Sequence, residues 1–393
     1  MNFKQLFLIT VTFVTVQVAA GQDIAGYLKQ VRENNPEITA FRKLLEAKKY
    51  EARTGLTPPD PSISFGYMPG ATQEIGTKKT WSVTQSFAFP TKYILKNRIS
   101  KSTLALAEQE FNLGMLNTLL EAKFLLFAYI YNQKTLELLR GRKELYDGLR
   151  SGWGKLLESG GATVLEYNKI LLEFSSLNLR ISRIESEITI LKEKLHYMSG
   201  TFDLPDAADY PPVVEIEKET LITEKSSIHP AFLLPESEYQ ISLQEVKLSR
   251  TGSLPEFQAG VASEIIPGEK YTGPVAGLSV PLWANSNRVK TAVAMAEHSA
   301  AARDATLLGL KASVRSEYEN MTAIKKSMME IEAIIESANN KQFLDKALEA
   351  GEISLNDYFI YLGGSFQAED RFYELEYEYN KSLALLHDHD LIK

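Results

Sequence analysis

The chain is written twice. Four landmarks recur in the same order at nearly constant separation, and a duplication of that kind governs the fold before any local pattern is read. Asn35-Pro36 is answered by His229-Pro230, 194 residues later. Pro61-Ser62-Ile63-Ser64 is answered by Pro255-Glu256-Phe257-Gln258, again at 194. Ala88-Phe89-Pro90 and Ser279-Val280-Pro281 stand 191 apart, as do Leu157-Glu158-Ser159-Gly160 and Leu348-Glu349-Ala350-Gly351. So long a period excludes a solenoid, whose units run to about 20–50 residues. It predicts a duplicated module packed about a pseudo-two-fold relation. Each copy reads helix, two strands, long helix, long helix. The first copy is expected over 22–200 and the second over 228–393, joined by a linker over 201–227 that carries Pro205, Pro211 and Pro212 among acidic residues.

The strand segments alternate with period two. Ile63, Phe65 and Tyr67 share one face against Ser62, Ser64 and Gly66. Trp81, Val83, Phe87 and Phe89 oppose Thr80, Ser82, Thr84, Ser86 and Ala88. In the second copy Phe257, Ala259, Val261 and Ile265 oppose Gln258, Gly260, Ala262 and Glu264, and Leu278, Val280 and Leu282 oppose Gly277 and Ser279. Pro69-Gly70 and Pro267-Gly268 mark the connecting turns. Alternation with one apolar face suits a transmembrane β-barrel with a wet lumen. A half-buried hairpin on a soluble protein gives the same pattern. Four strands cannot close a lumen, since the smallest barrels use about eight. Strands that span a membrane here must therefore be pooled from several copies, because open edges are not tolerated in lipid.

The helices read as too long for a globule. No proline interrupts 94–149, where Leu104, Ala107, Phe111, Thr118, Ala122, Leu125 and Tyr129 recur at three-four spacing. Ile170, Phe174, Leu177, Ile181, Ile184, Ile188, Leu191, Leu195 and Met198 then form a clean heptad, the mark of coiled-coil packing. Phe372, Leu375, Tyr379 and Leu386 repeat it in the second copy.

Residues 1–21 have the layout of a cleavable secretory signal: Lys4, an apolar stretch from Leu6 to Val18, then Ala19-Ala20-Gly21. Beyond it no run of 18 apolar residues occurs, so a membrane crossing would have to use strands. A net charge of −7 supplies no basic footprint for nucleic acid. The absence of cysteine excludes disulfides, thiolate metal sites and a lipid-anchoring cysteine.

Together, the export signal, the duplicated modules, the four lipid-type strands and the coiled-coil helices resemble the TolC-like outer-membrane efflux proteins. The residues that carry the likeness are Asn35-Pro36-Glu37-Ile38, His229-Pro230-Ala231-Phe232, Ser279-Val280-Pro281-Leu282-Trp283, and the two inter-helix turns at 159–167 and 350–358. The resemblance implies a mainly α fold of duplicated helical hairpins with a small β part. It further implies a homotrimer whose strands share one barrel in the outer membrane of a Gram-negative bacterium, above a helical tunnel crossing the periplasm. The partners it implies are a periplasmic membrane-fusion adaptor, an inner-membrane pump and outer-membrane lipid. Heavy-metal cations or small toxic molecules are the expected cargo. A periplasmic coiled-coil adaptor or scaffold is the alternative.

By the same resemblance the glycine turns stand at the periplasmic tip. Gly160, Gly161, Thr163 and Tyr167, with Gly351, Ser354 and Tyr358, are the candidate adaptor-contact residues, and Glu166 and Asp357 the candidate aperture acids. Physically, glycines at 160, 161 and 351 permit the left-handed conformation that ends a helix. Thr163 and Ser354 are expected to cap the next helix, with Glu166 and Asp357 three residues on in a capping-box arrangement. As rings in a trimer, the same acids would favour cations. Ile360 and Tyr361 stand where some relatives carry a second acid, and the chain is short for the family.

No catalytic constellation, P-loop or dinucleotide fingerprint occurs, so neither enzymatic activity nor a cofactor is expected. The cluster His387-Asp388-His389-Asp390 offers only two near-neighbour histidines, which do not close a metal site. Gly363-Gly364 is read as a point of close helix approach.

Overall fold

The computed structural model describes residues 24–72, 74–201, 209–212, 214, 216–283, 285–337 and 341–392. The signal expected over 1–21 lies outside them. A short helix α1 over 24–34 is followed by α2 (Pro36–Glu51), strands β1 (Ser62–Pro69) and β2 (Thr77–Phe87), and helices α3 (Pro90–Glu158) and α4 (Val164–Ser199). The second copy runs through α5 (Lys218–Ile228), α6 (Pro230–Thr251), β3 (Glu256–Ile266), β4 (Glu269–Ser279), α7 (Arg288–Ser337), α8 (Lys341–Glu349) and α9 (Leu355–Leu386), then a 3-10 turn, Asp388–Ile392. The duplicated fold expected from the sequence is the fold observed.

The first landmark of each repeat is a helix start. Asn35 caps α2, its side-chain oxygen accepting from the amides of Glu37 (2.9 Å) and Ile38 (3.2 Å). Its amide nitrogen donates to the Met198 carbonyl at 2.9 Å. His229 does the equivalent for α6, with Nδ1 accepting from the Ala231 amide at 3.1 Å. In both, proline follows at the first helical position, where its missing N–H costs nothing. The segment expected as a linker over 201–227 contains most of α5. That helix stands 194 residues after α1 and buries Leu221 and Ile222. All three linker prolines precede it.

The chain forms two compact units, each drawing on both repeats. Unit 1 combines the segment ending at Ala40 with Gly114–Lys225 and the segment from Lys311 onward. Its core holds the predicted heptad: Ile170, Leu177, Ile181, Ile188, Leu191, Leu195 and Met198 are buried, with Phe174 and Ile184 packed against them. Leu116, Leu119, Leu126, Phe127 and Ile130 of α3 are buried too. α3 contains a stretch long and apolar enough to cross a membrane, but more than half of it is buried in the protein, which accounts for its composition. Gly363-Gly364 does not mark a close approach within the chain, since a Cβ on either glycine meets nothing within 4 Å.

Unit 2 comprises Phe41–Leu113 and Ser226–Leu310 and contains the whole sheet, antiparallel in the order β1-β2-β3-β4. β2 and β3 join the two repeats, leaving β1 and β4 as open edges. Residues paired across antiparallel strands share a face. The register therefore puts Ile63, Val83, Val261 and Pro274 in one row, with Phe65 and Trp81 in the next and Phe87, Phe257 and Leu278 toward the other end. The opposite face carries Ser64, Ser82, Ala262 and Gly273. β3 turns into β4 through Pro267-Gly268 alone, and the positive φ of 85° at Gly268 is what a type II turn demands of its third residue.

Candidate membrane face and helical tips

Two features of the fold have no partner among the described residues. The first is the apolar sheet face. Phe65 is 83% exposed and Ile63, Tyr67 and Leu278 are each 60% or more. Burying such side chains is worth about 1.5–3 kcal/mol each, so leaving a row of them in water is costly. Strands β2, β3 and β4 have 11 residues each, within the roughly 9–11 that a tilted strand needs to cross a bilayer. Ser263 and Thr272 interrupt the apolar rows beside Phe65 and Trp81 and satisfy each other, their hydroxyls 2.9 Å apart and Ser263 donating to the Tyr271 carbonyl at 3.0 Å. On the other face Ser64 and Ser82 are hydrogen-bonded at 2.7 Å, and Gln258 donates to Thr84 at 3.0 Å. One face therefore suits hydrocarbon and the other water.

The second feature lies on α4. Beside its buried heptad runs a second one, Leu165, Leu172 and Leu179, which are 80%, 72% and 72% exposed. Sequence reasoning missed it. The signal was present as an unbroken seven-residue spacing, but the stronger seam at Ile170–Met198 masked it. A helix with two apolar seams packs against two neighbours, and the described residues supply only one.

Both inter-helix turns lie in unit 1 and are built alike. After α3, the Gly161 amide donates to the Leu156 carbonyl (2.7 Å) and the Gly160 amide to Leu157 (3.1 Å). After α8, Glu352 donates to Ala347 (2.8 Å) and Gly351 to Leu348 (3.1 Å). These are Schellman motifs, which need a left-handed residue at one position only. Gly160 and Gly351 supply it, with φ of 75° and 72°. Gly161 does not take that conformation, contrary to expectation, and Glu352 occupies its place in the second copy.

The caps separate the two acids. Thr163 accepts from the Glu166 amide at 3.2 Å, while the Glu166 carboxylate accepts from both the amide and the hydroxyl of Thr163, each at 2.7 Å: a complete capping box. The Thr163 amide, and then its hydroxyl, hold the Glu166 carboxyl below the usual glutamate range. Ser354 accepts from the Asp357 amide at 3.1 Å and donates its hydroxyl to the carboxylate at 2.6 Å, so the shorter acid closes only half the box. Asp357 is exposed and Glu166 half-buried. Because the folded state lowers the Glu166 pKa, its contribution is complete above the ordinary glutamate value and fades as pH falls through the lower one. Amide exchange at 163–166 is expected to speed up below about pH 4, relative to a Glu166→Gln chain. Equal pH dependence in the two chains would contradict this.

The tips differ in packing. Tyr358 is buried, its hydroxyl donating to Asp345 at 2.7 Å, and burial raises its ionisation well above a free tyrosine's. Tyr167 is half-buried, against Gly154. Phe359 stacks on Tyr146 with ring centres 5.8 Å apart, and burial pushes the Tyr146 hydroxyl up to about 12. Lys169 bonds Asn356 at 3.0 Å, tying one tip to the other. Of the expected site residues, Tyr358 is thus a core residue. Thr163, Ser354 and Asp357 are exposed, and Gly160, Gly161 and Gly351 shape the turns.

No protein-family model matches the sequence, and no curated protein matches it. Solved structures do. CusC, described for its conformational changes during folding and transmembrane channel formation, superposes with a TM-score of 0.79 at 12% identity, over 93% of this chain and 92% of that one. The CmeC outer-membrane channel of Campylobacter jejuni gives 0.72 at 14% identity, over 94% and 85%. The outer-membrane protein VceC of Vibrio cholerae gives 0.72 at 14% identity, over 95% and 97%. The chain therefore has the fold of these channel proteins along nearly its whole length. Coverage of 97% of VceC also shows that it is not short beside every relative of that fold.

Proposed function

We propose that the chain is one subunit of a trimeric, non-enzymatic export duct of the outer membrane, TolC-like in assembly as in fold. The observation that carries this is the four-stranded sheet with one exposed apolar face and two open edges. Such a sheet is stable in lipid only when its edges are paired. Three copies pool twelve strands, enough to enclose a lumen lined by the Ser64–Ser82 face. A soluble periplasmic scaffold would leave Ile63, Phe65 and Tyr67 in water for no gain. Residues 1–21 direct export in this reading. The two repeats are halves of one subunit, and the helical tips meet a periplasmic adaptor coupled to an inner-membrane pump. The cargo is chosen by that pump, with heavy-metal cations or small toxic molecules as its classes.

Membrane fractionation tests the proposal. The mature chain is expected in the outer-membrane fraction and, after cross-linking, as a trimer. Recovery from the soluble periplasm after signal cleavage would overturn it.

At the tip, Asp357 is the better aperture acid, since its carboxylate holds one serine hydroxyl while that of Glu166 is doubly engaged in its cap. Three copies around an axis form a carboxylate ring that favours cations. Asp357→Ala is expected to raise leak and lower cation preference in planar bilayers, with Glu166→Ala having the smaller effect. Unchanged conductance and selectivity in Asp357→Ala would remove the ring from the mechanism.

A further inference from the structure

The C-terminal turn brings together what the sequence keeps far apart. His389, on the 3-10 turn, is completely buried. Its Nε2 faces two carboxylates, Glu224 Oε1 of α5 at 3.6 Å and Asp390 Oδ1 at 3.8 Å. One ligand atom from each of the three residues lies within 4.8 Å of the others. On the far edge of the imidazole, Asp388 Oδ1 stands 3.9 Å from Nδ1, and Lys225 holds that carboxylate at 2.8 Å. The other oxygen of Asp390 lies 3.5 Å from His387 Nδ1.

We propose that His389 Nε2, Glu224 and Asp390 bind one divalent transition-metal ion, with Asp388 as the residue that positions the imidazole. Around a tetrahedral ion with bonds near 2.1 Å, ligand atoms stand about 3.4 Å apart, so the two histidine–carboxylate separations close by a few tenths of an ångström, while the two carboxylates, within 4.8 Å, have further to move. Two carboxylates carry the charge that matches a divalent ion, in competition with Lys123, whose charge also acts on Asp390 and Asp388. The set of one nitrogen and two oxygens suits zinc and its neighbours better than the all-oxygen shells of calcium or magnesium. Asp388, already matched by Lys225, is not a ligand. It stands 3.9 Å from the ring nitrogen that a metal-bound histidine customarily turns to a carboxylate, a gap that must close to form the hydrogen bond. Entry is from the side of Glu224 and Asp390, whose side chains are 30% and 49% exposed. The ion staples α5 to the C-terminal turn. In sequence, Glu224 stands too far from the His-Asp cluster to be counted with it, which is why two histidines alone did not close a site.

The test uses the untagged mature chain in detergent, stripped with chelator and titrated with zinc by calorimetry, with bound metal counted by mass spectrometry. One zinc per chain is expected, with a rise in the melting temperature and no response to magnesium. Glu224→Gln and Asp390→Asn, both at partly exposed positions, are expected to weaken binding at least tenfold. Asp388→Asn should weaken it by about 10–100-fold with the stoichiometry kept. If His389→Ala fails to fold, the two carboxylate variants still decide the matter. Less than a tenth of an equivalent bound, or Glu224→Gln and Asp390→Asn binding as the parent does, would mean that the cluster is an ion-paired histidine only. The result is independent of the duct, because the ligands all come from one chain.

Discussion

Leu172→Glu combined with Leu179→Glu is expected to leave each chain folded while abolishing its assembly. Both leucines are 72% exposed, so the substitutions cost the isolated subunit little. In an oligomer they lie on the second seam of α4, where each buried leucine contributes about 1.5–3 kcal/mol and each glutamate must instead be desolvated. Repeated around the proposed trimer, the loss exceeds what an interface of ordinary affinity can absorb. Light scattering in detergent should report monomers at concentrations where the parent forms the proposed trimer, with the helical circular dichroism retained. A variant trimer that melts with the parent would remove this seam from the interface.

Arg142→Ala is expected to act in the opposite way, destabilising the subunit itself. The guanidinium is 4% exposed. It donates to the Phe366 carbonyl (2.9 Å) and to Glu369 (3.0 Å), and stacks on the Phe366 ring at 4.2 Å. Its Nη1 also lies 2.7 Å from Asp370 as an ion pair whose angle falls outside hydrogen-bond geometry. Asp370 in turn meets Arg180 of α4 at 2.9 Å. One side chain thus locks α3 to α9, and through Asp370 to α4. Breaking a buried pair from one side costs about 3–5 kcal/mol. Glu369 and Asp370 are about one-third exposed, so a loss of about 2–4 kcal/mol is expected once solvent screening is counted. Arg142→Lys should recover only part of it, since an ammonium reproduces neither the fork nor the stacking. Denaturant unfolding checks both, and a stability loss under about 0.5 kcal/mol for Arg142→Ala, from the midpoint shift and the slope m, would contradict the assignment.

Local patterns carried much of the fold. The heptad from Ile170 to Met198 and the alternation at 62–67 and 80–87 are properties of neighbouring residues, so each predicted its own buried or exposed face. The tips were legible for the same reason, because a Schellman glycine and an N-cap act within a few residues. Their details were less so. Asp357 differs from glutamate by one methylene, and only the built turn revealed that it completes half a box. The helix α5 was hidden because prolines and acids at 205–217 resemble a linker, while α5 gains its stability by burying Leu221 and Ile222.

By itself the sequence determined the duplication, the two faces of the strands and the capping of the helices, because period and cap are local consequences of backbone geometry. Tertiary structure alone decided which distant groups meet: Arg142 with Glu369 and Asp370, Glu224 with His389. Tertiary structure also decided which of two heptads on α4 the subunit keeps for itself. Those choices depend on packing between segments far apart in the chain, and spacing along the chain does not encode them.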